Sequence, residues 1–458
     1  MKEVMPLTRR NFMQASGLAS LAAGEGLLAQ SGSKPISAND KIQLACIGFG
    51  IMGQGDVETA TSLPGVELVA VADVYEGRLT LARERYGDKV FTSRDYREVL
   101  ARPDVDAVIV ATPDFWHARI ASDALLAGKD VYCQKPMVQK VEDGHTVIAA
   151  QKESGRILQV GSQRVSSVLY AKARDLIRSG AIGEVHMIEA FWDRNSPLGA
   201  WQYTVPPDAS TQTIDWDRFL SGATKRPFEP IRLFRWRNYR EYGTGIAGDL
   251  FVHQFSGIHF VMDSLGPRMV CASGGTYFWK DGRDVPDLMM GMYDYAPSDK
   301  HPGFQINLRV NFEAGSTGGS DGQGFRFVGT EGVLNLSVGN ALVLTKRVPP
   351  AEPGNTAETF SRDIARKVME DYRRQYPVSK PSVDNMRPAS EERFLIPRGY
   401  SEQTAHHETF FDAVRTRKPV VEDAVFGLRA AGPALLSNIS YFEQRMVQWD
   451  PVNMKIKA

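Results

Sequence analysis

From Lys41 onward, short runs of uninterrupted apolar residues alternate with longer amphipathic stretches. The apolar runs fall at 42–47, 67–72, 107–111, 130–133 and 157–161, and their length and lack of alternation predict strands buried on both faces. Between them, helices are predicted near 53–62, 76–86, 95–101, 117–127 and 141–154. Such alternation is the pattern of βαβ units, and it predicts a mostly parallel sheet covered on both sides. Past about Gln163 the pattern changes. A helix over roughly 167–178 leads into period-two runs such as Val185-His186-Met187-Ile188-Glu189-Ala190. An aromatic, proline-rich stretch follows from Trp201 to Tyr242, then strands from Met269 to about Leu344. These predict a second domain with a large, mostly antiparallel open sheet. Residues 347–395, rich in proline and charge, read as a surface insertion, and helices near 403–417 and 424–440 close the chain. No internal repeat is visible.

Gly48-Phe49-Gly50-Ile51-Met52-Gly53 follows the first apolar run, and Asp73 ends the second. Strand, glycines, helix, strand and terminal acid together form the fingerprint of a Rossmann dinucleotide-binding domain. Gly48 serves a tight turn, Gly50 a close backbone approach to pyrophosphate, and Gly53 the packing of helix on strand. The helix start offers free N–H groups and a positive dipole end to phosphate. Asp73 accepts from ribose hydroxyls and repels a 2′-phosphate, which favours NAD, while nearby Arg78 leaves NADP possible. The domains are therefore read as a leader and linker at 1–35, a Rossmann domain at 36–165, and an α+β substrate and oligomerisation domain at 166–458. The fold class is α/β.

Length and composition add limits. The chain has 458 residues, enough for two domains rather than one core. Its 54 basic and 54 acidic side chains give no charge excess to draw nucleic acid or an anionic membrane. Three scattered cysteines, Cys46, Cys133 and Cys271, sit in strand-like runs and suggest neither a disulfide framework nor a metal site. Thr8-Arg9-Arg10-Asn11-Phe12-Met13, followed by an Ala/Gly/Leu-rich stretch to Ala29, reads as a twin-arginine export signal. The stretch is too short and too small-residue-rich for a membrane span. The expected location is periplasmic or otherwise exported, with no membrane association after export.

Three features carry chemistry. The third strand ends in Ala111-Thr112-Pro113 with His117 beyond, and the next ends in Cys133-Gln134-Lys135-Pro136. Carboxyl ends of parallel strands hold the ligands of doubly wound sheets, so Lys135 belongs at the nicotinamide end of the dinucleotide. In Gly248-Asp249-Leu250-Phe251-Val252-His253, the i, i+4 spacing puts Asp249 and His253 on one helical face, where the acid can orient the imidazole or cap the helix. His259 is read as structural. Within the aromatic stretch, Trp201 and Tyr239, interleaved with Arg235 and Arg237, suit a sugar ring and its hydroxyls.

On these residues the chain resembles the glucose–fructose oxidoreductase / inositol dehydrogenase / rhizopine-catabolism (Gfo/Idh/MocA) family from Lys41 to the C-terminal helices. Gly48-x-Gly50-x-x-Gly53 resembles its nucleotide motif, Ala111-Thr112-Pro113 with His117 its nicotinamide-ribose segment, and Gly329-Thr330-Glu331-Gly332 a turn of its second sheet. Gln134-Lys135-Pro136 departs from the family's usual Glu-Lys-Pro and removes a negative charge beside the lysine. The resemblance implies a catalytic group of Lys135, Asp249 and His253. It also implies a cofactor site of Gly48, Phe49, Gly50, Ile51, Met52, Gly53, Asp73, Thr112, Pro113, His117, Gln134 and Lys135, and a homodimer or homotetramer.

The expected reaction is hydride transfer between NAD(P) and a ring hydroxyl of a sugar or cyclitol. Lys135 and His253 both remain candidates for the proton acceptor. Outside the cytoplasm NADH finds no free pool for reoxidation, so an exported member is expected to hold its cofactor tightly and recycle it. The alternative expectation is a redox-neutral glycosidase or lyase working through a keto-sugar. A non-catalytic sugar sensor would have no need of Lys135, Asp249 and His253 together.

Overall fold

The computed structural model describes residues 41–315, 322–337, 341–348, 353–377 and 391–457. The stretch read as an export signal and the linker after it therefore lie outside the described residues, as do parts of the 347–395 stretch. Strands β1 (Ile42–Ile47), β2 (Val66–Ala72), β3 (Phe91–Ser93), β4 (Ala107–Val110), β5 (Asp130–Gln134) and β6 (Leu158–Gly161) form one parallel sheet, in the order β3-β2-β1-β4-β5-β6. Helices α1 (Ile51–Thr61), α2 (Glu76–Tyr86), α3 (Tyr96–Leu100), α4 (Asp114–Leu126) and α5 (Val141–Ser154) make the connections. β4 and β5 are buried at every position, as a sheet covered on both faces requires. This is the doubly wound arrangement expected from the alternating pattern.

Helix α6 (Val168–Arg178) leads into the second sheet through β7 (Val185–Asp193). Short helices α7 (Trp216–Phe219) and α8 (Pro230–Phe234) occupy the aromatic stretch, and a π-helical turn, Ala247–Phe251, runs directly into α9 (Val252–Met262). Strands β8 (Met269–Gly275), β9 (Leu288–Tyr295), β10 (Phe304–Asn311), β11 (Gly322–Gly329), β12 (Gly332–Ser337) and β13 (Ala341–Lys346) follow. Helix α10 (Arg362–Gln375), β14 (Glu391–Leu395), α11 (Glu402–Thr416), α12 (Ala424–Glu443), β15 (Val447–Asp450) and β16 (Lys455–Ile456) complete the chain. The ten-stranded sheet runs β14-β13-β12-β11-β7-β10-β9-β8-β15-β16. Only its central pair, β7 and β10, is parallel among the described pairings. β10 alternates buried and exposed positions, the mark of a sheet packed on one face and open on the other. The stretch read as a surface insertion contains more order than that: its last residues, β14, pair antiparallel with β13.

Candidate active site

The dinucleotide fingerprint folds at the end of β1. Gly48 has φ +91°, and a Cβ there would lie 2.6 Å from the Ala111 carbonyl oxygen, so the turn has room only for glycine. Gly50 precedes α1 in extended conformation with no side chain capping the helix, which leaves its first N–H groups for a ligand. A Cβ on Gly53 would come within 2.0 Å of the Gly48 carbonyl oxygen. Asp73 is buried beside this turn: Oδ2 accepts from the Phe49 N–H at 2.8 Å and Oδ1 from the Tyr75 N–H at 3.0 Å. Arg78 pairs with it at 3.3 Å and lays its guanidinium over the Phe234 ring, 5.4 Å from the centroid.

These groups open onto a cleft of about 320 Å³, lined by Gly48, Gly50, Ile51, Met52, Asp73, Thr112 and Pro113 on one side. Its other side is the aromatic stretch, with Tyr203, Phe219, Phe234 and Trp236. An uncapped helix start, a glycine cradle and a buried acid at the tip of β2 fit a dinucleotide. Phe49 contributes through its backbone only; its ring is fully buried, edge-on to Tyr86. His117 is buried as well, with Nδ1 2.7 Å from the Pro136 carbonyl and Nε2 2.8 Å from that of Thr112. It ties together the loops after β4 and β5.

Several elements approach the end of β5. Lys135 Nζ donates to Asp249 Oδ1 at 2.9 Å and to the Asp249 carbonyl at 3.0 Å. Arg237 Nε donates to the same Oδ1 at 3.2 Å. Burial pushes the Asp249 carboxyl up, but Lys135 and Arg237 outweigh it and hold it well below the usual carboxylate range. Lys135 is held below the ordinary lysine value by burial first, with Arg237 opposing the pull of Asp249. His253 Nδ1 lies 3.3 Å from Ser162 Oγ, and its ring packs against Trp192 at 5.3 Å. Burial, then the charges of Lys135 and Arg164, keep this imidazole neutral at ordinary pH.

The spacing argument for Asp249 needs correction. Its carboxylate meets Lys135 and Arg237, and no hydrogen bond to His253 occurs among the described residues. The reason is the π-helical turn, whose wider winding takes Asp249 off the face that α-helical i, i+4 geometry assigns to it. Asp249 does not cap α9 either, since the π turn precedes that helix. His259 bonds the Tyr295 hydroxyl at 2.8 Å inside the core.

The aromatic stretch divides. Arg237 lines the cleft. Trp201 is 1% exposed and packs edge-on against Phe312, so no ring face remains for a sugar. Arg235 binds the Tyr203 carbonyl and Gln202, and Tyr239 is buried under Arg232. Sequence reasoning missed Asp114, which is 2% exposed and accepts from Thr244 N and Oγ1 at 2.9 and 2.7 Å. Burial pushes its carboxyl up to about 7. Its place directly after Pro113, at a strand end, was the available signal.

Residues 42–162 match the Gfo/Idh/MocA oxidoreductase family, NAD-binding Rossmann fold. Inositol 2-dehydrogenase of Salmonella typhimurium strain LT2 is 32% identical over 149 residues, 32% of this chain and 44% of the relative. The chain thus spans less than half the length of that curated relative. Among solved structures, GenD2 from gentamicin A biosynthesis, in complex with NAD, superposes with TM-score 0.63 at 18% identity, covering 93% of this chain and 100% of GenD2. Levoglucosan dehydrogenase with NADH and levoglucosan gives TM-score 0.62 at 19% identity, covering 89% of this chain and 99% of that one. Residues 42–162 therefore match the NAD-binding Rossmann domain of Gfo/Idh/MocA oxidoreductases, in a chain that shares the fold of GenD2 and levoglucosan dehydrogenase.

Proposed function

We propose that this chain is an NAD-dependent oxidoreductase acting on a ring hydroxyl of a sugar or cyclitol. The observation that carries the reading is the Lys135–Asp249–Arg237 cluster at the carboxyl end of β5, with neutral His253 one helical turn beyond Asp249. Bound NAD supplies the hydride acceptor or donor. The chain supplies everything around it. Lys135, kept charged by Asp249, stabilises negative charge on the substrate oxygen. His253 carries a free lone pair in its neutral form and takes the hydroxyl proton as general base. Asp249 fixes Lys135, and Arg237 crosses from the cleft wall to hold Asp249. The relatives' names point to the same substrate class: one acts on inositol, and another was solved with levoglucosan. The reading is tested by screening sugars and cyclitols for reduction of bound NAD in a single turnover. A wild-type signal that Lys135→Met abolishes supports it; aglycone release with no net nicotinamide change would transfer it to the redox-neutral glycosidase class.

Retention and recycling of the cofactor are part of the proposal. The aromatic stretch is pinned across the cleft by a bridge between Tyr75 and Ile214, by Trp116 Nε1 on the Phe219 carbonyl at 3.2 Å, and by Arg218 on Asp95. A cofactor so enclosed turns over without leaving, which suits an exported enzyme bearing the twin-arginine motif at Arg9-Arg10. Mass spectrometry of nucleotide released from dialysed, denatured protein tests it: stoichiometric NAD(H) is expected, and an empty protein would overturn it. Assembly as a homodimer or homotetramer through the open face of the large sheet completes the reading.

A further inference from the structure

Gln134 stands at the position where the resemblance leads one to expect glutamate, and its surroundings explain the exchange. Its Nε2 donates to Asp56 Oδ2 at 2.7 Å. A glutamate there would set two carboxylates against each other in the core. Asp56 lies on α1, the helix that presents its N-terminus to the dinucleotide, and is fully buried. Its second oxygen, Oδ1, faces Nε2 of fully buried His407 on α11 at 3.6 Å. Neither atom has a hydrogen-bond partner among the described residues. His407 Nδ1 lies 2.9 Å from the Gln403 carbonyl oxygen, which can only accept, so the ring hydrogen belongs on Nδ1. In the neutral ring Nε2 then presents a lone pair to a carboxylate lone pair. Two buried acceptors facing each other without a proton between them are unfavourable.

We infer that Asp56 and His407 form a site for one proton behind the nucleotide-binding helix, and that dinucleotide binding raises the proton occupancy of this site. The inference rests on the nucleotide-binding reading of residues 42–162. The pyrophosphate brings negative charge to the start of α1, which favours the neutral form of an acid further along the same helix. By linkage, a proton that follows the nucleotide in must weaken nucleotide binding when it is removed.

The surroundings leave the pair as the group that titrates. Burial pushes the Asp56 carboxyl up to about 7, against the Gln134 bond and Lys135, and burial holds His407 below the ordinary histidine value. When the site is protonated, the proton therefore sits on Asp56 and points at Nε2. Other titratable groups face the pair. Cys46 on β1 and Tyr132 on β5, whose ring stacks on His407 at 4.6 Å, are both pushed up by burial and stay neutral. His406 on α11 is pushed down to about 3 and binds the Val160 carbonyl and Ser166. Glu422, near Tyr132, is buried, and burial pushes its carboxyl well above the ordinary value. Lys135, directly after β5, is the cation, and it is engaged by Asp249.

The test is calorimetric titration with NAD of the full-length chain, stripped of retained nucleotide by unfolding and refolding and checked to be empty by mass spectrometry, at pH 7.5 in two buffers of different ionisation enthalpy. The binding enthalpies are expected to differ between buffers by an amount that reports uptake of up to one proton per nucleotide. The dissociation constant should rise with pH above the pair's titration, by at most about tenfold per unit. Asp56→Asn and His407→Gln should each abolish the buffer dependence while saturable binding persists; two variants guard against one failing to fold. Saturable binding with equal enthalpies in both buffers overturns the inference, as does uptake that survives in both variants. Absence of saturable NAD binding by the wild type would instead overturn the nucleotide reading, and the pair's role with it.

Discussion

The buried charges around Lys135 set the sharpest expectations for single residues. Lys135→Met removes the group that stabilises substrate oxyanion and should lower kcat/KM by about 10²–10³-fold, with NAD binding retained in a titration. Asp249→Asn leaves Lys135 and Arg237 buried together without their anion. Breaking a buried pair in this way costs about 3–5 kcal/mol, which thermal or denaturant unfolding at pH 7 will read. The Asp249 carboxyl is depressed in the folded chain, so its contribution is present above the unfolded aspartate value near ~3.9 and is lost as pH falls below it. Asp114 has the opposite sign. Its folded value near 7 exceeds the unfolded one, so the stability it contributes is full below about pH 4 and disappears as pH rises through 7. Unfolding curves from pH 4 to 8 should therefore flatten in Asp114→Asn. Lys135, the glycines and Asp73 were legible in the sequence because strand ends of a doubly wound sheet have fixed places. The Asp249–His253 pairing misled because spacing was read at α-helical pitch, and one π turn changes the register. Trp201 and Tyr239 misled because composition does not separate a core aromatic from one that meets a ligand.

At the level of elements, the contact of α1 with the β1 turn controls the nucleotide site. Gly53→Ala would place a methyl 2.0 Å from the Gly48 carbonyl oxygen, a backbone atom that cannot swing aside, and 3.2 Å from Cys46 Sγ. A lost melting transition or at least a tenfold weaker NAD affinity is expected; an unchanged affinity would show that the helix can slide. The strands and helices of the first domain were readable because buried parallel strands are short, continuous apolar runs. β3 was missed: it spans only three residues, too few for a period to show. β14 was read as insertion because its sequence, Glu391-Glu392-Arg393-Phe394-Leu395, is charged, as an edge strand often is.

For the whole molecule, the open face of the ten-stranded sheet exposes Phe191, Met290 and Met292 together. The homo-oligomer proposed above would use this apolar face. Met292→Lys should shift the mass in solution toward monomer by light scattering, and an unchanged mass would exclude this face. The order of strands in that sheet was beyond sequence reasoning. β7 sits between β10 and β11, pairings made across more than a hundred residues, and no local pattern encodes them.

The two walls of the nucleotide cleft are far apart in the order of synthesis. The floor's lining residues run from Ile47 to Ile120, whereas the wall that crosses it begins with Leu198 and ends with Arg237. A ribosome adds roughly 5–20 residues each second, so several seconds separate the synthesis of the floor's lining from that of its cover. NAD present while the chain folds would be part of what the cover packs against. Yield on refolding should then depend on whether nucleotide is present at the start or is added after the chain has closed.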